Sequence, residues 1–525
     1  MSLVSPGPAV LPTPAKPADP ATAAGPLGWW LDVGWAIGLA AILLVWPAIW
    51  NGYPLVFADS GTYLGQALLG YVGWDRPPFY SLFLYALHWR LSLWPVVAGQ
   101  GLLLAHLLHL VLRTQGHPGP APLLLTALAL AMLSGLPFFA AQIQPDVFTG
   151  VVVLCAWLIG FRQAALSRPE RCYVLLLATL ATVVHQSHLP LAFGLAGIGT
   201  ALWARRGVAA ALRALARLAL PPVVALLALI GVNWAAHGIA APSPYGSVFF
   251  ATRMLFDESG QAWLARHCAA TADRATPFKV CALQGGLGEG HNDFLWTLDG
   301  PLYATLGGPK GWAAEAGVIV RSMVLEDPAT MLRAALANTL EQLGRAATGD
   351  GLSAWPGTPG PEPLIARFFP AEHAAFLAAG QQRGVLLPLA LRLSPLHGAV
   401  FLACLVGLLA AAAVARPAAA AARVGGADGH GARRGAGQCH HHRHALRPGG
   451  PLPGAADLAG GGGAGGRAAA AAAPGGGRAA GGDAPGFWPG RRLGLPAGGG
   501  CRAGATPYGM TTPRHPPVVL PRVAR

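Results

Sequence analysis

Charge is scarce in this chain. Asp, Glu, Lys and Arg make up 11% of its 525 residues, less than half the roughly 25% of an ordinary soluble domain. That scarcity excludes a large water-soluble globule. The 53% hydrophobic content and mean hydropathy of +0.46 point to a bilayer instead. Zinc-type cysteine pairs are also missing: the seven Cys show no ligand spacing. Cys155, Cys172 and Cys404 lie in or beside apolar runs and read as small apolar residues. The N-terminus lacks the basic start and small-residue cleavage site of a signal peptide. The first apolar run, WWLDVGWAIGLAAILLVWPAIW (29–50), has aromatic ends and reads as a retained signal anchor behind a disordered cytoplasmic leader, 1–28.

The net charge of +14 invites a nucleic-acid reading, but its location argues against one. From residue 417 onward 13 Arg stand against three Asp, so about ten of the fourteen charges lie in the last fifth. That region, 416–525, is almost exclusively Gly, Ala, Pro and Arg, with GGGGAGG, a six-Ala run and QCHHHRHALRPGG. Two readings of it stand. One is a disordered low-complexity tail. The other is a slipped reading frame: QCHHHRHALRPGGPLPG (438–454), read one nucleotide later, permits NAIITGTLSGPVDRYQ, an ordinary membrane-protein segment. The His cluster 440–444 has metal-ligand character, but it lies inside this stretch and is set aside.

Apolar runs that approach the roughly 20 residues needed to cross a bilayer occur at 29–50, 93–112, 122–140, 147–161, 172–185, 189–204, 218–237 and 396–415. The expected fold is an all-α polytopic membrane protein: a core over 29–237 with a periplasmic loop 51–92, and a further span over 395–415. Arg113, then Arg162, Arg168 and Arg171, then Arg205, Arg206, Arg213 and Arg217 follow alternate spans. Short Arg-bearing loops face the cytoplasm, which places the N-terminus there too. Segment 78–90 is short and carries His88 and Arg90, so it reads as an interfacial helix. The polar stretch 238–394 reads as a soluble, mainly helical extracytoplasmic domain. Its Cys268 and Cys281 are either a disulfide, which an oxidising periplasm allows, or two free thiols.

The remaining polar residues collect on the opposite face. Asp59, in FADSGTY, is a carboxylate at a membrane rim and can act as a general base; equally, Asp59 or Ser60 can cap the helix that follows. Asp75-Arg76-Pro77-Pro78 is a turn into a helix. Arg76 suits a phosphate, or a local ion pair with Asp75, or a lipid headgroup. Asp146, in Gln144-Pro145-Asp146, opens the fourth span as a site residue or as a favourable charge at a helix start. His185 and His188 suit a phosphate or hydroxyl better than a metal, with two solvated interfacial rings the plainer alternative.

An acidic residue after the first span, a basic-Pro-Pro-aromatic segment and an Asp opening the fourth span resemble the membrane glycosyltransferases of the GT-C superfamily. The likeness is to the protein mannosyltransferase and lipid A aminoarabinose transferase branch. A-D-S-G-T-Y and D-R-P-P-F-Y stand where that branch has its first-loop acid and its Lys-Pro-Pro-Leu stretch. Ser60 departs from the second acid of many members, and Arg76 replaces Lys. The resemblance covers residues 29–204.

The resemblance implies a GT-C-like helical bundle in a bacterial inner membrane. It implies transfer of a sugar from a polyprenyl-phosphate donor to an envelope glycan, lipid or protein. Asp59 would be the catalytic base; Arg76, Asp75, Asp146, His185 and His188 would bind substrate. No cofactor is indicated, although a divalent metal is compatible, and nucleic acid is not an expected partner. A non-catalytic envelope-assembly protein is the alternative. A transporter or flippase fits less well, because the acids sit at span ends and no internal repeat is present.

Overall fold

A computed structural model describes residues 30–268, 278–283, 286–349, 351–357 and 360–431. The leader 1–28, the His cluster 440–444 and the tail beyond 431 lie outside these residues. Among the described residues there are twenty α-helices and no strand longer than an isolated bridge. Four helical segments are long and apolar enough to cross a membrane: Trp94–Thr114, Pro145–Ala165, Val208–His237 and Leu386–Ala413. The chain is therefore a membrane protein.

Proline and capping chemistry move several of the expected span boundaries. The first run is α1 (Trp35–Leu44) and α2 (Trp46–Asn51), broken at Val45 because Pro47 has no N–H for the carbonyl of Leu43. The run 122–140 likewise divides into α6 (Pro120–Leu133) and α7 (Leu136–Ala140). There Ser134 is extended (φ −142°, ψ 162°) and Pro137 cannot continue the ladder. The expected span 172–185 begins earlier, as α9 (Arg168–Val183), because Ser167 and Glu170 form a reciprocal capping box. The span 218–237 is the end of a longer helix, α11 (Val208–His237). Arg213 and Arg217 therefore belong to that helix and not to the preceding loop.

The spans pack in a bundle. Helix α1 lies against α5 (Trp94–Thr114) and α6, while α10 (His188–Ala204) and α9 lie against α11. Gly101 sets the α1–α5 approach: a Cβ there would meet Val45 Cγ1 at 2.9 Å and the Ala41 carbonyl at 3.1 Å, the close approach that small residues allow between membrane helices. At one end the Arg-bearing helix ends meet. Arg113 forks onto Glu170 at 2.7 and 2.8 Å, Arg217 donates to Gln163 at 2.6 Å, and Trp203 donates to the Gly160 carbonyl at 2.9 Å.

The other end carries α3 (Ala58–Leu69) and α4 (Phe79–His88). At about 1.5 Å per residue these are too short for a hydrocarbon core of about 30 Å. The segment 238–394 is divided between two cores. Its first part, from Tyr245 to Met323, builds a separate core around Trp263, Phe294 and Trp312 and contains the Cys268–Cys281 disulfide. Its later part, from Leu352 to Ala390, packs into the core of the bundle.

Gln381 fastens that later part. Its Oε1 accepts from Val56 N–H at 3.0 Å, and its Nε2 donates to Val56 O at 2.7 Å and Ser353 O at 3.1 Å. Its residue is 1% exposed. Gln381→Ala strands several buried backbone groups at a cost of about 1–3 kcal/mol each. The expected outcome is a clear fall in melting temperature in detergent, with no change for Gln163→Ala at the opposite end. Equal effects would contradict it.

Candidate functional site

The site is assembled at the end of the bundle that holds α3 and α4. Asp59 is the second residue of α3, yet it does not cap the helix. Ser60 does: its hydroxyl accepts from Phe57 N–H at 2.9 Å and donates to the Ile143 carbonyl at 2.7 Å. The two loops are further joined by Leu55 N–H to Ala141 O at 3.0 Å and Ile143 N–H to Leu55 O at 2.8 Å. Gln100 of α5 holds the second loop by donating to Ala140 O and Gln142 O, both at 2.9 Å, while accepting from Tyr80 OH at 2.6 Å. The capping role expected of Asp59 or Ser60 thus falls to Ser60, and the Asp59 carboxylate is left for other contacts.

Its partner is Arg76. Nε and Nη2 both donate to Asp59 Oδ2, at 2.9 and 2.7 Å, and both side chains are 18% exposed. The local Asp75–Arg76 ion pair does not form; Arg76 Nη1 instead donates to the backbone carbonyl of Asp75 at 3.1 Å. The turn that presents Arg76 is held by Gln66, whose Oε1 accepts from Gly73 N–H at 2.8 Å and whose Nε2 donates to Ser81 at 3.2 Å. Burial is the largest influence and works against the Arg76 charge, but Asp59, Tyr63 and Asp75 together outweigh it and raise the guanidinium's pKa. Asp75 is 8% exposed. Burial raises its pKa, opposed by Arg76 and by local backbone hydrogen bonds.

Asp146 sits in the short turn Pro145–Val147 that opens the fourth span. It is within electrostatic reach of Asp59 and Arg76. With Gln142, Gln144, Phe57 and Thr348 it lines a cavity of about 120 Å³. Asp59 and Arg76 lie outside that cavity's walls. His185 is half-buried, hydrogen-bonded to Ser187 at 2.7 Å, and feels the charge of Arg76. His188 is buried, and both ring nitrogens are engaged. Nδ1 faces the Ala181 carbonyl at 2.6 Å and so carries the proton. Nε2 accepts from Thr149 at 2.8 Å. The structure thus brings Asp59, Asp75, Arg76, Asp146 and His185 together and gives His188 a packing role between α9 and the fourth span.

Several site residues gave no local signal in the sequence. Trp296, at the end of α14 (His291–Trp296), lies under the Arg76 guanidinium at 5.5 Å from its ring centre. Trp74 stacks on Phe249 at 5.5 Å and leans on Trp296 at 5.7 Å, so the first loop is inserted into the second core. Thr348, Gly349 and Leu352 complete the small cavity. Gly351 has φ +72° and sits so close to the Phe57 ring that no Cβ fits. Only folding brings Trp296, Thr348, Gly349 and Leu352 to this end of the bundle, because they are more than two hundred positions from Asp59 in the chain. Among the described residues no three His, Cys, Asp or Glu side chains are grouped to hold a metal ion.

No protein-family model, curated protein or solved structure matches the chain.

Asp75 generates a pH test. Its folded pKa is raised from an ordinary value of 3.8. Its contribution to stability is therefore complete below that value and is lost as pH rises through the folded value. Melting curves in detergent should show Asp75→Asn gaining on the native protein as pH rises from about 4 into the neutral range. A difference independent of pH would refute this account.

Proposed function

We propose that this chain is a membrane glycosyltransferase that moves a sugar from a polyprenyl-phosphate donor to an envelope glycan, lipid or protein. The observation that carries the reading is the Asp59–Arg76 pair, in which both guanidinium donors converge on a single carboxylate oxygen beside Asp146 at one end of the bundle. A base and a phosphate-binding cation are thereby held together in a partly dehydrated place, where electrostatic effects are strong.

In this reading the phosphate of an arriving donor competes with Asp59 for Arg76. As the guanidinium turns to the phosphate, the Asp59 carboxylate is released from its ion pair and is free to accept a hydrogen bond from the acceptor hydroxyl. Asp59 then takes the acceptor's hydroxyl proton as the oxygen attacks the anomeric carbon. The new C–O bond forms as the anomeric carbon–phosphate oxygen bond breaks, with inversion. The electron pair leaves on the phosphate, which Arg76 neutralises. His185 lies on the same side as a second contact for anion or hydroxyl. The chain's residues supply the base and the counter-charge, and the donor supplies the leaving group.

A second reading has the pair as a clasp in a non-catalytic assembly protein, and it draws on the closed geometry of the ion pair itself. The two are separated in a strain whose envelope glycans depend on this gene. Asp59→Asn should abolish transfer by about 10²-fold or more while the protein still accumulates. The exchange Asp59→Arg with Arg76→Asp should restore the clasp but not the glycan. If the exchanged protein restores the wild-type glycan profile, the catalytic role is wrong.

The same proposal places the site outside the cytoplasm of a bacterial inner membrane, with the N-terminus inside. Its supports are the Arg-bearing loops at the far end and the disulfide of the core that receives Trp74. In protein isolated from membranes under alkylating conditions, Cys268 and Cys281 should become labelled only after reduction. Labelling of both without reductant would place this side of the protein in a reducing compartment.

A further inference from the structure

Helix α17 (Pro328–Gly344) has two unlike faces. One packs on the second core: Met331 touches it, Thr330 is buried, and Asn338 donates to Asp257 at 3.1 Å and accepts from Arg253 at 3.0 Å. The other carries Leu332, Leu336, Leu340 and Leu343, exposed by 61, 56, 70 and 63%. At about 100° per residue these leucines fall within one narrow arc, and the charged Glu341 lies on the far side of the helix. Four large aliphatic side chains aligned on a surface helix are costly in water.

What covers them follows from where the helix ends. Gln342, Leu343 and Arg345 form one wall of an open groove of about 880 Å³ whose other walls are Leu125 of α6 and Phe401 of the last span. Leu125 and Phe401 are themselves 67 and 51% exposed on helices that cross the bilayer or lie against those that do. The C-terminal end of the leucine stripe, at Leu343, therefore opens onto the exposed apolar surface of the bundle. It does so at the site end, since Thr348 lines both this groove and the cavity beside Asp146.

We propose that α17 lies on the bilayer, with Leu332, Leu336, Leu340 and Leu343 buried in the acyl boundary of the leaflet at the site end. The partner is the lipid surface of the membrane the chain already spans. Amphipathic helices bind in this way through apolar area. The second core is thereby held down at the membrane beside the site and is not free to swing in solvent. This goes beyond the proposed chemistry and does not require it.

The test uses the full chain in vesicles of phosphatidylethanolamine and phosphatidylglycerol. Cys172, Cys404, Cys439 and Cys501 are replaced by serine. Leu332→Cys, Leu336→Cys, Leu340→Cys and, as the far-face control, Glu341→Cys are labelled with an environment-sensitive fluorophore. Each labelled protein is first checked for an intact Cys268–Cys281 disulfide and a single size-exclusion peak. The three leucine positions should emit as in an apolar medium and be quenched several-fold more than position 341 by lipids carrying a nitroxide high on the acyl chain. Water-like emission at all three positions would overturn the proposal. Apolar emission without lipid quenching would overturn it too, by showing protein and not lipid on that face.

Discussion

Backbone that leaves the helix at the end of a membrane bundle must still satisfy its hydrogen bonds, and the site depends on how this chain meets that demand. A buried, unpaired peptide group costs free energy comparable to a lost hydrogen bond, and the hydrocarbon offers no replacement partner. Three glutamines meet the need. Gln100 closes the second loop, Gln66 the turn before Arg76, and Gln381 the first loop against the late segment. A primary amide is suited to this work because it donates and accepts at once, and it does so without placing a charge next to the bundle.

With these loops fixed, the ion pair becomes possible. Ser60 takes over the capping of α3 and bonds across to Ile143, so the Asp59 carboxylate is free to meet Arg76 from a turn 17 residues later. The pair is partly buried on both sides, and Trp296 closes over the guanidinium from the second core. A cation with an aromatic ring on one side and a carboxylate on another is held in a defined orientation.

The second core reaches the site through Trp296 and receives Trp74 of the first loop. These contacts give the segment that follows α11 a mechanical role. It holds the first loop in place and carries part of the site's lining, while the stretch from Leu352 to Ala390 returns to the bundle and completes its packing. The expected soluble domain 238–394 is thus narrower in the structure, because its later part belongs to the core of the bundle.

Much of this was determined by the sequence alone. The scarcity of charge and the recurrent apolar runs required a helical membrane protein, and the alternation of Arg-bearing loops with polar ones put Asp59, Arg76, Asp146 and His185 at the same end. Those are local or periodic signals, and each is written within a few residues of its consequence. Other features were decided only by tertiary structure. Pro47 and Pro137 broke runs that hydropathy joined. His188 was drawn inward by Thr149 and Ala181. Arg76 chose Asp59 over its neighbour Asp75, and Trp296, Thr348 and Gln381 came to the site from positions far along the chain. The physical reason is the same in each case. Hydropathy averages over a window, whereas a hydrogen bond or ring contact depends on one atom's position, which only the folded chain fixes.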